Sequence, residues 1–319
     1  MRACIFSEGS IYISMRFVLT PYDLLTLFFL GLLSCLAVFS ASANPSWTGL
    51  LATYATLALA NLAAAAYRAK KGLARPGLSL SIVVAVITVL CIFNSLGTLI
   101  AGMHTTTFDA HLIAVDHALF GVHPTVWMEQ LISPALSTIF QFAYISYYFI
   151  PLSLGAVLIA KGRFKEFDKA LFGILLCFYL SYLGYLLVPA IGPRFTLSHL
   201  QTGTLQLVPF IETIQQVLNG LEKNKTDAFP SGHTAVSLLC LSYAWKKRER
   251  TLFIGLLPLV LGLVVSTVYL RYHYVIDVIA GIALAGLTIL LAPGLRRMLS
   301  VTSVRPGDTA STLGRSHNE

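Results

Sequence analysis

Two short clusters, about forty residues apart, combine residue types that can carry out phosphate chemistry. The first is residues 229–233, Phe-Pro-Ser-Gly-His, and the second is residues 273–277, His-Tyr-Val-Ile-Asp. Each cluster stands at the edge of a long apolar run, where an ionisable side chain is costly and by default a sign of function. The two clusters therefore predict a phosphate site at a membrane surface.

The second cluster has the spacing of a nucleophile and its orienting carboxylate. His273 and Asp277 are four residues apart, so they share one face of a helix. A carboxylate there can accept the imidazole N–H, which fixes the tautomer and leaves a lone pair on the other nitrogen. Histidine would then be the nucleophile. The alternative is an interfacial histidine beside an aspartate that only complements the helix dipole.

The first cluster is typical of an anion site at the start of a helix. Proline suits a first helical turn, and the backbone N–H groups of Ser231 and Gly232 can approach a phosphate closely. His233 would then lie within reach of a leaving oxygen. An ordinary helix cap with an interfacial histidine is the alternative.

A phosphate pocket also needs fixed positive charge, because the transition state spreads negative charge over several oxygens. Arg194 is the first candidate, since a planar guanidinium can bind two phosphate oxygens. Arg271, two residues before His273, is the second candidate. Lys223 and Lys225 are the third, and a solvated loop is the interpretation we favour for both.

The composition indicates how these residues are positioned. Of 319 residues, 56% are hydrophobic and 11% are charged, against roughly 25% charged in a soluble domain. Several runs of about 20 apolar residues can cross a hydrocarbon core of about 30 Å. We predict an all-α polytopic transmembrane bundle of about eight spans. The spans are approximately 22–42, 47–67, 78–99, 133–160, 170–189, 229–245, 252–270 and 274–293.

Basic residues cluster after the second, fourth, sixth and eighth predicted spans, which is typical of cytoplasmic loops. Both termini are then cytoplasmic, and the long connections 100–132 and 190–228 face outward together with the corner 271–273. The candidate residues therefore emerge on one side of the membrane. The formal charge of +8 reflects this topology, and we expect no nucleic-acid partner. Connection 100–132, with four histidines and three acidic residues, is interpreted as a structural amphipathic helix.

The combined motifs resemble the type 2 phosphatidic acid phosphatase superfamily. Its three motifs are Lys-x6-Arg-Pro, Pro-Ser-Gly-His and Ser-Arg-x5-His-x3-Asp, and the second is intact at 230–233. The third has Thr267 in the arginine position. In the first, Arg194 follows Pro193 instead of preceding a proline, and Leu187 takes the lysine position.

These departures are similar to one branch of the superfamily. Residues 266–277 look like the corresponding segment of fungal inositol phosphorylceramide synthase and its bacterial relatives, and residues 116–121 look like a segment of the bacterial relatives. The resemblance covers roughly residues 110–293 and implies a catalytic membrane domain at 101–293. The apolar runs before it predict N-terminal transmembrane helices at 1–100, and the polar composition after Arg297 predicts a disordered cytoplasmic tail at 294–319.

The resemblance also implies the catalytic roles. His273 would attack phosphorus to form a phosphohistidine, Asp277 would orient it, and His233 would protonate the leaving alkoxide. His233 would then activate the acceptor, which is water in a phosphatase and a hydroxyl group in a transferase. The site would face outward from the cell (inner) membrane.

Phosphate binding and partners follow from the same resemblance. Arg194 and the backbone of Ser231 and Gly232 would hold the phosphate, with Arg271 as a substitute for a missing cation. No metal or organic cofactor is implied, and the substrate would be a lipid phosphate or phosphodiester.

Two activities and two other functions stay open at this point. Transfer of an inositol-phosphate type of headgroup to a lipid hydroxyl is somewhat favoured over hydrolysis of phosphatidic acid or polyprenyl phosphate. A transporter with a histidine proton relay is a distant alternative, because the predicted spans hold almost no ionisable residue besides Asp277. A catalytically inactive scaffold is expected to have lost one of the two histidines or this aspartate.

Overall fold

The computed structural model describes residues 19–71, 75–221 and 224–301. The described part of the chain contains thirteen α-helices, three short 3-10 turns and no strand. The helices are α1 Pro21–Phe39, α2 Trp47–Lys71, α3 Arg75–Met103, α4 Asp109–Phe120, α5 Pro124–Trp127, α6 Pro134–Ile145, α7 Ile150–Ala160, α8 Phe164–Leu187, α9 Pro193–Thr196, α10 Pro209–Leu221, α11 Gly232–Lys246, α12 Arg250–Tyr269 and α13 Val275–Val301. The predicted all-α polytopic architecture is confirmed.

Among the described residues, six helices are long and apolar enough to cross a membrane: α1, α2, α3, α8, α12 and α13. The predicted fourth span consists of α6 and α7, which meet at an angle of 50°. The predicted sixth span is α11, whose 15 residues extend about 22 Å at 1.5 Å per residue. That length is less than the thickness of the hydrocarbon core. Of the eight predicted spans, one is therefore a bent pair of helices and one is a helix too short to cross the membrane.

Two apolar clusters share α8. One joins α8 to α1, α2 and α3, and the other joins it to α7, α11 and α12. Helix α11 packs against α7, α8, α12 and α13. The short α11 is therefore surrounded by four other helices, and its N-terminal end lies among the loops that join them.

The boundaries at the two ends differ from the sequence-based interpretation. Helix α13 continues to Val301, past the boundary that the sequence placed at 294. The rest of the predicted tail, and the predicted cytoplasmic residues before position 19, lie outside the described residues. Arg68, expected in a cytoplasmic loop, is buried at the end of α2 and paired with Asp23 of α1.

The two long connections that were predicted to face outward contain helices. Connection 100–132 holds α4 and α5, and connection 190–228 holds α9 and α10. Gly192, at the start of α9, has a φ of +86°, and a Cβ atom there would lie 2.5 Å from the Tyr272 carbonyl oxygen. Only glycine allows this backbone conformation and this close approach without strain. Connection 190–228 and the corner 271–273 therefore meet at this glycine.

A replacement of Gly192 tests whether this contact holds the loops together. We expect Gly192→Ala to lower the melting temperature in detergent, because alanine is strained at positive φ and its Cβ meets the Tyr272 carbonyl. Gly121→Ala is the matched control, since Gly121 also has a positive φ (+70°) but no atom within 4 Å of the added Cβ. Equal losses in the two variants would show that the close approach is unimportant.

Candidate functional site

His273 lies in the corner between α12 and α13 and is buried. Its Nδ1 atom lies 2.7 Å from the carbonyl oxygen of Ala228. Because a carbonyl oxygen can only accept a hydrogen bond, Nδ1 carries the proton and donates it. The neutral ring therefore has its lone pair on Nε2, the nitrogen that a nucleophilic role requires.

Asp277 lies beside the same nitrogen, at a greater distance. Its Oδ2 atom is 3.5 Å from His273 Nδ1 and accepts a hydrogen bond of 2.8 Å from the Tyr274 N–H. We expected Asp277 to accept the imidazole N–H. In the structure its carboxylate lies in contact with Nδ1, and the Ala228 carbonyl is the closer acceptor. Asp277 is fully buried, so its charge can stabilise a cationic His273 ring.

His233 occupies the first turn of α11, with its ring centroid 5.9 Å from that of His273. The ring lies between Tyr144 at 4.5 Å and Tyr147 at 4.2 Å. Its Nε2 atom is buried and has no hydrogen-bond partner among the described residues. Buried polar atoms are rarely left unpaired, and a substrate oxygen would supply the missing partner. The two tyrosines hold the ring in place for such a contact.

One of the backbone donors expected to hold phosphate already has a partner. The Ser231 N–H donates to the Asp277 carbonyl at 2.9 Å. The Ser231 hydroxyl accepts from Thr234 N–H and caps α11. Ser231 therefore joins the start of α11 to α13, and a phosphate role for the Ser231 and Gly232 backbone stays a prediction.

A small polar cavity of about 30 Å³ borders His273. It is lined by Tyr144, Ile191, Arg194, Phe195, Asn224, Lys225, Asp227, Ala228, Tyr272 and His273. The Arg194 guanidinium lies 4.9 Å from the centroid of the Tyr272 ring. Among the described residues, no carboxylate lies within ion-pair distance of it. The structure thus brings Arg194 into the same cavity as His273.

Arg271, the second candidate cation, is used differently. Its guanidinium donates to Glu129 and to the Gly203 carbonyl, both at 2.6 Å. This ion pair joins the α12–α13 corner to the turn after α5, and Arg271 does not line the polar cavity. Lys225 does line it, although we favoured a solvated loop for this residue. Lys223 lies outside the described residues.

The comparisons with known proteins agree with this geometry. The family model described as the PAP2 superfamily matches residues 110–291, more than half of the chain. The chain belongs to the PAP2 superfamily. It is also similar to a "PA-phosphatase related-family protein" of Dictyostelium discoideum, at 25% identity over 237 residues, which cover 61% of this chain and 42% of that protein. The chain thus matches less than half of that relative's length.

No solved structure matches the chain. Membership of the PAP2 superfamily, together with the long apolar helices, makes this a multi-pass membrane protein. Neither comparison distinguishes the inositol phosphorylceramide synthase branch from other members.

Two carboxylates of α4 position the loops of this PAP2 site, and the sequence interpretation did not assign them that role. Asp109 accepts from the N–H groups of Ile191 and Gly192 at 3.0 and 2.9 Å, and from the Tyr274 hydroxyl at 2.8 Å. It therefore fixes the loop that carries Arg194. The available signal was the spacing of Asp109 and Asp116, which are seven residues apart and so share a helix face.

Asp116 fixes the start of α13. Its two oxygens accept from the N–H groups of Val275 and Ile276, each at 2.8 Å. Burial raises the pKa of Asp116 above the ordinary aspartate value, and the two N–H donors oppose this rise. A carboxylate at a helix N-terminus also complements the helix dipole, so Asp116 holds the helix that carries Asp277.

Loss of Asp109 should release the loop that carries Arg194. Asp109→Ala leaves the Ile191 and Gly192 N–H groups without their acceptor, at about 1–3 kcal/mol for each unsatisfied group. We expect their amide hydrogen exchange to become about tenfold to a hundredfold faster, measured by mass spectrometry in detergent. Asp168→Ala, at the opposite end of the bundle, should leave these amides unchanged. Unaltered exchange in Asp109→Ala would contradict the positioning role.

The two arginines should respond differently to the same substitution. Arg194→Gln should weaken the binding of inorganic phosphate by about tenfold to a hundredfold, since a charged hydrogen bond contributes about 1.5–3 kcal/mol. Arg271→Gln should lower the melting temperature, because it leaves Glu129 without its partner, and should change phosphate affinity much less. Titration calorimetry and thermal unfolding in detergent measure the two effects. If Arg194→Gln mainly lowered the melting temperature and Arg271→Gln mainly weakened phosphate binding, the roles of the two arginines would be reversed.

Proposed function

We propose that this protein is a membrane lipid phosphatase or phosphotransferase that acts through a phosphohistidine on His273. One observation carries the proposal. The Nε2 lone pair of His273, fixed by the Nδ1–H bond to Ala228, belongs to a ring that lines the same cavity as the unpaired guanidinium of Arg194. A nucleophile beside a fixed cation is the arrangement that phosphoryl transfer requires.

The first half-reaction forms the phosphohistidine. His273 Nε2 donates its lone pair to phosphorus, and the bond from phosphorus to the lipid alkoxide oxygen breaks. Protonated His233 gives its proton to that oxygen, so that a neutral alcohol leaves. The His273 ring becomes positively charged, and the buried Asp277 carboxylate stabilises it.

The second half-reaction returns the enzyme to its starting state. His233, now neutral, accepts a proton from the acceptor hydroxyl as the acceptor oxygen attacks phosphorus. The phosphorus–nitrogen bond breaks, and its electron pair returns to His273 Nε2. With water as the acceptor the product is phosphate or a phosphomonoester, and with a lipid hydroxyl it is a new phospholipid.

The cations differ from the family pattern in a way that supports Arg194 as the main phosphate ligand. The family arginine position holds Thr267, which is buried and whose carbonyl accepts from the N–H groups of Tyr272 and His273 at 2.9 and 3.0 Å. This position therefore shapes the corner and supplies no charge. Lys225 lines the cavity and is the second cation in our proposal.

The resemblance around His273 favours transfer of an inositol-phosphate type of headgroup, and plain hydrolysis of a lipid phosphate is the alternative activity. We further propose that the site faces outward from the cell membrane and that both termini are cytoplasmic. The grouping of Arg194, His233 and His273 at one end of the bundle supports this orientation, as does the basic cluster of Lys161 and Arg163 beside Glu249 at the other end.

Labelled lipids test the function directly. In nanodiscs, phosphatidic acid with a ³²P label should give labelled phosphate, and phosphatidylinositol with a labelled phosphorus plus ceramide should give labelled acceptor lipid if the protein is a transferase. Acid-labile label should also appear on the protein. No product from either donor would refute the proposed function.

Histidine variants test the intermediate. His273→Gln should abolish both protein labelling and turnover, while His233→Gln should lower turnover by about 10²–10⁴-fold, the range of general acid–base catalysis. His199→Gln, a histidine of the same outward connection outside the polar cavity, is the control and should match the wild type. Undiminished labelling of His273→Gln would show that another residue is the nucleophile.

A further inference from the structure

A second, much larger cavity lies on the other side of His233. It has a volume of about 690 Å³ and runs between α3, α7 and α8. Its wall is apolar over most of its length, with residues such as Val86, Leu90 and Ala156. The polar groups His233 and Asp227 are part of the same wall. A cavity of this size can hold most of a long hydrocarbon chain.

The two histidines of the proposed mechanism line different cavities. His273 lines the small polar cavity and His233 lines the large apolar one, while Asp227 contributes to both. The phosphate-binding cation Arg194 is found only on the polar side. The nucleophile therefore faces the charged end of a substrate, and the proton donor faces the apolar end.

We infer that the apolar cavity binds a hydrocarbon chain of the lipid whose alcohol oxygen leaves phosphorus. This inference rests on the proposed function, because it takes His233 as the group that protonates the leaving oxygen. An alkoxide within reach of His233, with its phosphorus at His273, extends its carbon chain away from the polar cavity. The apolar cavity is lined by His233 and has the matching polarity.

The dimensions of the cavity fit one membrane leaflet. Helix α3 lines it from Asn94 to Ile82, and twelve residues of helix correspond to about 18 Å. Half of a hydrocarbon core of about 30 Å is close to this depth. A chain that starts at His233 would thus run parallel to the lipid tails of the leaflet beside the site.

The cavity also opens toward the lipid. Val86 and Leu90 of α3 and Leu152 of α7 line it, yet they are 39%, 47% and 49% exposed. A chain can therefore enter sideways between α3 and α7 without leaving an apolar environment. Because the bilayer is as apolar as the cavity, the transfer itself gains little free energy. The cavity selects a chain by its shape and length.

Helix α3, one of the N-terminal helices, contributes to this selection of lipid chains. The PAP2 superfamily match covers residues 110–291, so α3 lies outside it while forming one wall of the cavity. The proposed catalytic residues come from the matched region, and the chain-length preference depends on a helix outside it. Substitutions in α3 should then change lipid preference without touching the histidines.

A matched pair of substitutions in α3 tests the inference. Val86 lines the cavity, whereas Val83 is 52% exposed and does not line it. Val86→Trp should lower the ratio of kcat/KM for dioleoyl to that for dioctanoyl phosphatidic acid by about tenfold or more, because the indole occupies the space of several chain carbons. Val83→Trp should leave this ratio unchanged.

The facing wall provides a second pair. Ala156 of α7 lines the cavity and Ala160 of the same helix does not, and both are exposed. Ala156→Trp should lower the long-chain to short-chain ratio and Ala160→Trp should not. If the wild type is active and all four variants keep its ratio, the chain does not bind here and the inference is overturned while the proposed function stands.

Photo-crosslinking keeps the test independent of turnover. A phosphatidic acid with a diazirine in one acyl chain should label peptides of α3 and α7, and unlabelled dioleoyl phosphatidic acid should compete with this labelling. The competed labelling should be lost in Val86→Trp and kept in Val83→Trp. Equal labelling of both variants would overturn the inference, whether or not turnover is found. The absence of turnover with every lipid would by itself refute only the proposed function.

Discussion

The hydrogen bond between His273 Nδ1 and the Ala228 carbonyl joins the two loops on which the site depends. It fixes the imidazole tautomer, and it ties the corner before α13 to the segment that leads into α11. The bond from Ser231 N–H to the Asp277 carbonyl repeats the connection one turn further on. Each loop therefore holds the other, and the two bonds help to fix the distance between His233 and His273.

Two arginines shielded from solvent in this apolar protein have carboxylate partners. Arg68 pairs with Asp23 inside the bundle, and Arg271 pairs with Glu129 at the site's edge. Such partners are expected, because a buried unpaired charge is strongly unfavourable. Arg194 lies on aromatic rings without a carboxylate partner among the described residues. In the proposed function, the phosphate group of the substrate supplies its counter-charge.

The two cavities beside the histidines also differ in polarity. The polar cavity beside His273 suits a phosphate, and the apolar cavity beside His233 suits a lipid chain. A lipid phosphate has the same two ends in the same order. In the proposed function, His233 and His273 act where these two ends meet, on the bond between the charged and the apolar parts of the substrate.

The sequence by itself determined the membrane-spanning helical class, the two histidines and the possible pairing of His273 with Asp277. These features depend on local composition and on helical spacing, which can be read directly from the sequence. Only the tertiary structure decided that Ala228 fixes the tautomer, that Asp109 and Asp116 anchor the loops, and that Arg194 rather than Arg271 is left with its charge available. Those outcomes depend on contacts between segments 45 to 160 residues apart, and no local pattern specifies which distant carbonyl or carboxylate a side chain will meet.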